Sequence, residues 1–277
     1  MRKHLEGLDH IVIRVADLDG AADTFRRLGF VLTPPGIHSV GTRNHCAMLG
    51  FDYIELVDVP AGIAPPFFVD YPVAGEGMTG LALKSTNADA VRSAWERAGL
   101  EPAPLLDLQR PVADAAGAHA RFRLVPLPAE RTPGGRAFVC EHVTPELVWR
   151  PGRARHPNHV TGINKVVVAT DDPIAAGVLW GRVFDVEPYP IPGGVSITTG
   201  AAPIVALDPG ALARQLPGVA LPRLLGHAQF AAVYLTTNDL AIAASLVRAA
   251  GFRAVALPDG SFAVPASEAH GTVLVFR

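Results

Sequence analysis

Few residues in this chain sit where a side chain does chemistry rather than packing. His10 interrupts the apolar beginning of Gly7-Leu8-Asp9-His10-Ile11-Val12-Ile13-Arg14. Glu55 breaks the run Tyr53-Ile54-Glu55-Leu56-Val57, and Glu146 breaks Pro145-Glu146-Leu147-Val148-Trp149, with His142 four residues earlier. A carboxylate facing a core needs a partner or a metal, because desolvating it alone is costly. By strict strand alternation either glutamate can instead face solvent, and His10 can be a satisfied group at the core rim. Asn44, Arg43, His38, His45 and Arg123 add polar groups that suit an oxygen-rich, anionic small molecule. Cys46 and Cys140 are too few for a disulfide framework, and Cys140 beside Glu141 should resist ionising. There is no glycine-rich phosphate loop, serine-hydrolase elbow or kinase-type signature; Gly193-Gly194 reads as a hairpin turn.

The elements that must position these residues come from a repeat. The apolar runs Ile11-Val12-Ile13, Leu81-Ala82-Leu83, Val166-Val167-Val168 and Val233-Tyr234-Leu235 are each followed, at one offset, by Asp17, Asn87, Asp172 and Asp239. Asp and Asn accept backbone N–H groups of a first helical turn, so each marks a helix start. Apolar-periodic stretches follow over 21–28, 90–98, 174–183 and 242–250. Asp17 to Gly29, Asn87 to Gly99 and Asp239 to Gly251 are each twelve residues, with glycine supplying the left-handed stop. The third copy has Phe184 at that offset and must end differently. Strand-like segments come after each helix, so the unit is strand, helix, then about three strands. One helix covers one face of a small sheet, and pairing of units buries the rest, so four units predict two domains. The segments 60–77, 150–159 and 209–226 read as connectors, and the middle one sets the boundary between domains 1–150 and 151–277.

Composition sets the outer limits. Of 277 residues, 49% are hydrophobic and 18% charged, which is ample for a core and excludes disorder. With 24 basic against 26 acidic residues there is no basic stripe for nucleic acid. No apolar stretch nears the roughly 20 residues of a membrane helix, and no signal segment precedes the first strand. A cytoplasmic protein with a small-molecule partner, no nucleic acid and no membrane is the expectation.

A βαβββ unit used in pairs, with a histidine on its first strand and Ile-Glu-Leu on its last, resembles the vicinal oxygen chelate superfamily. That group includes glyoxalase I, extradiol dioxygenases and the fosfomycin and bleomycin resistance proteins. Leu8-Asp9-His10-Ile11, Gly41-Thr42-Arg43-Asn44, Tyr53-Ile54-Glu55-Leu56 and His142-Val143-Thr144-Pro145-Glu146-Leu147-Val148-Trp149 look like its glyoxalase-like branch. The resemblance implies an α+β fold of four βαβββ units paired into two domains with cupped mixed sheets. It also implies a divalent metal held from first and last strands. The first-strand positions map to His10, Gly80, Lys165 and Ala232, and the last-strand positions to Glu55 and Glu146, with apolar residues near Val205 and Val273 in the C-terminal pair. The expected metal ligands are therefore His10, Glu55 and Glu146, and Gly80 leaves one position without a donor. One imidazole and two carboxylates suit zinc, manganese, iron(II), cobalt or nickel alike.

The resemblance further implies a lyase- or isomerase-type enzyme on a small oxygenated substrate, with Glu146 as the catalytic proton shuttle. Asn44, His45, Arg123 and His142 are the expected substrate contacts. The C-terminal pair would be a degenerate copy that covers the first or mediates a homodimer. The competing reading is a metal-free binding protein like the drug-sequestering members of the superfamily.

Overall fold

A computed structural model describes residues 2–63, 75–113 and 115–277. Of the expected connector 60–77, residues 64–74 lie outside the described residues. The first unit comprises β1 (Leu5–Arg14), α1 (Leu18–Arg27), β2 (Gly36–Ile37), β3 (Arg43–Met48) and β4 (Tyr53–Asp58). The second has β5 (Gly77–Ser85), α2 (Ala88–Arg97), β6 (Leu106–Pro111), β7 (His119–Pro126) and β8 (Arg136–His142), followed by the short α3 (Pro145–Val148). The third has β9 (Val160–Thr170), α4 (Pro173–Phe184), β10 (Tyr189–Ile191), β11 (Gly194–Ile197) and β12 (Ile204–Leu207), then α5 (Pro209–Gln215). The fourth has β13 (Ala228–Thr237), α6 (Leu240–Ala249), β14 (Val255–Ala256), β15 (Phe262–Val264) and β16 (Val273–Phe276).

The helix starts are where short polar side chains accept backbone N–H groups. Asp17 caps Asp19, Asn87 caps Ala90, Asp172 caps Ala175 and Asp239 caps Ile242. Gly29, Gly99 and Gly251 take positive φ after three of the helices. In the third copy Phe184 is still helical, and Asp185 supplies the left-handed residue at φ 58°. Asp tolerates that conformation better than most side chains.

In each unit the helix returns the chain so that the last strand lies parallel to the first, a pairing that needs a crossover. β4 runs parallel to β1, β8 to β5, β12 to β9 and β16 to β13. Units join in antiparallel pairs through β1 with β5 and β9 with β13. Two eight-stranded mixed sheets result, ordered β2-β3-β4-β1-β5-β8-β7-β6 and β10-β11-β12-β9-β13-β16-β15-β14. This is the two-domain vicinal oxygen chelate architecture. The first sheet nearly closes on itself, because the Ser39 amide just past β2 donates to the Gln109 carbonyl on β6 at 2.9 Å.

Each sheet has two buried faces. The faces turned toward the helices meet in a single core. Ile11, Phe25, Trp95, Trp180, Phe184 and Phe230 all belong to it, so both halves of the chain contribute. The indole of Trp95 donates to the Val183 carbonyl and that of Trp180 to the Pro133 carbonyl, each at 3.0 Å across the halves. The opposite faces form two cups. The second is filled: α5 and the residue that caps it, within the segment expected to be a connector, lay Ala211, Leu212 and Leu216 against Val167, Val205 and Val275. The expected boundary at 150–151 falls in the turn between α3 and β9.

Candidate functional site

The first cup keeps an open floor. Alternation along β3 turns Asn44 and Cys46 into it, and along β4 it turns Tyr53, Glu55 and Val57 into it. On β1 the pairing with β5 slips between Leu8 and His10. This bulge inserts Asp9 and lets Leu8 face the helix-side core while His10 and Val12 face the cup. The cavity between them measures about 40 Å³ and is also lined by His38, Thr42, Arg110, Phe122 and Phe138.

His10 is the centre of a buried polar network. Its Nδ1 lies 2.8 Å from Asp9 Oδ1, its Nε2 lies 3.4 Å from Glu55 Oε2, and Tyr53 stacks on the ring at 4.2 Å. Asn44 Nδ2 donates to Glu55 Oε1 at 2.6 Å, and His38 Nε2 lies 3.7 Å from the same oxygen. His38 is fixed from behind by Thr42 Oγ1 at 2.8 Å from Nδ1. On the other side, Asp9 meets His142 Nε2 at 3.0 Å and Lys84 Nζ at 3.8 Å. Lys84 in turn rests over the Phe51 and Trp149 rings at 4.0 and 4.2 Å.

Burial disfavours every charge here, and the partners overcome it. Burial pulls His10 down, but hydrogen bonds and charge from Asp9 and Glu55 raise it to about 9. Burial pushes Glu55 up, yet His10, His38 and Asn44 hold it at about 2. Asp9 is likewise held well below the usual carboxylate range by His142 and His10 against its own burial. His38 goes the other way: burial lowers it despite Glu55. At neutral pH the floor therefore carries an imidazolium between two carboxylates, beside a neutral imidazole. Burial raises the Cys46 thiol to about 12 and the Cys140 thiol well above its ordinary value, so neither is a nucleophile at neutral pH.

The expected site residues divide. His10 and Glu55 face each other, Asn44 clamps Glu55, and His142 reaches the network through Asp9. Glu146 does not join them. It is exposed in the first turn of α3. Superposing the repeat by register pairs Val12 with Glu55 and Ala82 with Phe138, so Phe138 is the counterpart of Glu55. The physical reason is Pro145, which has no N–H for a strand ladder and sits at the start of a helix instead. Gly80 leaves no vacancy either, since a Cβ there would lie 3.3 Å from the Arg136 carbonyl and 3.6 Å from Val12. His45 points to the opposite face of β3 and bonds the Thr33 carbonyl at 2.7 Å. Arg123 is drawn outward to Asp89 at 2.8 Å and toward Glu141 at 3.7 Å, because Phe122 and Leu124 take the cup side of β7. In the second cup the same register gives Lys165, Val205, Ala232 and Val275.

Asp9, Arg110 and Lys84 were not among the expected site residues, whereas His38, expected among the polar groups of the ligand site, does line the cavity. The two-residue period of Leu106, Leu108 and Arg110 carried the signal for Arg110.

Two groups of side chains bear on a candidate metal site. A tetrahedral ion with bonds near 2.1 Å spans about 3.4 Å between two donors, which matches the His10 Nε2 to Glu55 Oε2 separation. Asp9 on the far nitrogen is the carboxylate–imidazole support typical of metal-bound histidine. A second group, Asp9, Cys140 and His142, brings its donor atoms within 4.8 Å of one another. Either group would have to give up a proton to take a metal, the first from His10 and the second from Cys140.

A family model described as a glyoxalase-like domain matches residues 8–184. No curated protein matches the chain. Among solved structures, a hypothetical protein from Staphylococcus aureus is similar over 98% of each chain, at 13% identity and a TM-score of 0.67. A mutant of 4-hydroxymandelate synthase from Streptomyces coelicolor is similar over 99% of this chain and 92% of its own, at 13% identity and a TM-score of 0.59. At such identity these likenesses speak for the fold alone.

Proposed function

For a chain that belongs to the glyoxalase-like domain family of the vicinal oxygen chelate superfamily, we propose a metal-supported enzyme of lyase or isomerase type acting on a small oxygenated molecule in the first cup. The observation that carries this reading is the His10–Glu55 pair, spaced as two ligands of one ion and backed by Asp9. His10 Nε2 and the Glu55 carboxylate would hold the ion. Bound there, a divalent ion supplies Lewis-acid polarisation of a substrate oxygen.

The remaining roles belong to the chain itself. Tyr53 and Asp9 fix the plane and tautomer of His10, and Asn44 fixes the rotation of the Glu55 carboxylate. His38 is buried, lowered into the neutral form and in the cavity wall, so its Nε2 is the proton acceptor on this floor. That is the role expected of Glu146 and unavailable to an exposed residue on α3. Phe122, Phe138 and Tyr53 line the floor with aromatic rings.

Metal analysis of protein purified without chelator tests the reading. Near-stoichiometric metal in the wild type, lost in His10→Ala and Glu55→Ala but kept in Glu146→Ala, is the expected result. A metal-free wild type that still binds small ligands in the cup would establish the competing reading, a binding protein. That alternative has its own observation: Gly80 and Phe138 contribute no donor, and His10 is already matched by two carboxylates.

A further inference from the structure

Among the described residues, one charge in the first cup has no counterpart. Arg110 is the last cup-facing residue of the alternating series on β6 and is only 7% exposed. It shares the cavity wall with His10, His38, Asn44 and Glu55. Among the described residues its side chain makes no ion pair and no hydrogen bond. Its shaft lies over Gly36, where a Cβ would stand 3.2 Å from Arg110 Cδ and 3.4 Å from Nη1. Glu55, the nearby carboxylate of the wall, is answered by His10, His38 and Asn44. Asp9 is answered by His10, His142 and Lys84. Among the described residues the acids of the floor are thus already matched, and Arg110 is a surplus cation.

A guanidinium cannot escape burial by losing its proton, as a lysine or histidine can. A buried, unpaired one therefore costs stability unless an anion arrives to meet it. Its planar fork fits a carboxylate through two parallel hydrogen bonds. The cavity, at about 40 Å³, has room for roughly three water-sized groups, which suits a carboxylate and the carbon next to it.

We propose that Arg110 anchors the ligand of this cup by a carboxylate, making small carboxylates the ligand class and Arg110 the residue that selects them. The inference shares its cavity with the proposed metal site, but the carboxylate contact itself does not require the metal. Salt should weaken it less than a surface pair, because the contact is shielded from solvent.

The test is titration of the protein with glycolate and lactate against the uncharged glycolamide and lactamide, as isolated and after chelator treatment. The acids should saturate at least tenfold more tightly than the amides in both preparations. Arg110→Met should lose that preference while melting no lower than the wild type, since it removes an unmatched buried charge and keeps the bulk of the shaft. Arg110→Lys should keep a reduced preference. The proposal is overturned if no acid saturates the wild type, if the amides bind as tightly as the acids, or if Arg110→Met keeps the preference. A collapse of Arg110→Met on folding would also overturn it, because it would reveal a structural role for the charge. Absence of metal with the acid preference intact would remove the metal reading and leave the Arg110 assignment standing.

Discussion

At the scale of single residues, the floor of the cup is an electrostatic arrangement that must leave a mark on stability. His10 is raised from 6.5 in the unfolded chain to about 9 in the fold. Its contribution is thus fully present below pH 6.5 and lost as the pH rises through 9. Urea midpoints measured in chelator at pH 6 and pH 9.5 should fall for the wild type, and His10→Gln should show a much smaller fall from a lower starting value. An unchanged slope in the variant would mean that His10 is not the imidazolium of the pair. Glu55 works at the opposite end, lowered from 4.5 to about 2, so its stabilisation survives down to strongly acidic pH. His10 and Glu55 were legible in the sequence because each is a polar residue interrupting an apolar run, and Asn44 because it stands in a cluster of polar side chains. Arg123 was misread because one step along a strand reverses the face, and Phe122 and Leu124 take the cup side of β7. Arg110 escaped because β6 is an edge strand with half-exposed leucines, so its alternation is faint.

At the scale of elements, the repeat, the caps and the twelve-residue helix spacing were all legible, since each follows from local backbone chemistry. Register was not. Glu55-Leu56-Val57 and Glu146-Leu147-Val148 are the same three letters, yet the first triplet is strand and the second is a helical turn opened by Pro145. A letter match ignores the missing N–H, which is what decided the outcome. The bulge at Asp9 was equally hidden, because it is a property of the pairing of β1 with β5 rather than of either strand. The role of α5 was missed because the segment's proline and glycine content reads as loop, while Asp208 caps Ala211 at 2.7 Å and Pro209 opens the helix. Leu212 is the plug of this element, at 2% exposure against the second cup. Leu212→Ala should cost about 2–5 kcal/mol of folding free energy, read from denaturant unfolding. A loss under 1 kcal/mol would mean that the second cup closes without α5.

At the scale of the whole molecule, the halves are tied by polar groups as well as by a common core. Asp52, at the turn into β4, accepts the Ile163 amide of β9 with both oxygens at 3.1 Å. Burial raises its carboxyl from 3.8 to about 7, with the Ile163 bond opposing. Its neutral form thus suits the fold, and stability is lost as the pH rises from 3.8 through 7. Asp52→Asn should match the wild type near pH 4 and exceed it at pH 8 in urea midpoint. Equal midpoints at both values would show that Asp52 is ionised without penalty. The reciprocal tryptophan bonds make the same point without charge, as each half completes a buried donor of the other. None of this was visible in the sequence, which displays four similar units and no sign of how two pairs of them meet. Among the described residues no helix is long and apolar enough to cross a membrane.

The filled second cup has a consequence for counting. Two halves of one design would ordinarily leave open whether a ligand is taken up once or twice per chain. With Leu212 and Leu216 occupying one floor, a ligand that needs a cup has a single seat, so its saturation ratio is one per polypeptide. Any ratio approaching two would report α5 lifting away, which turns a plain stoichiometry into a gauge of whether that helix stays docked.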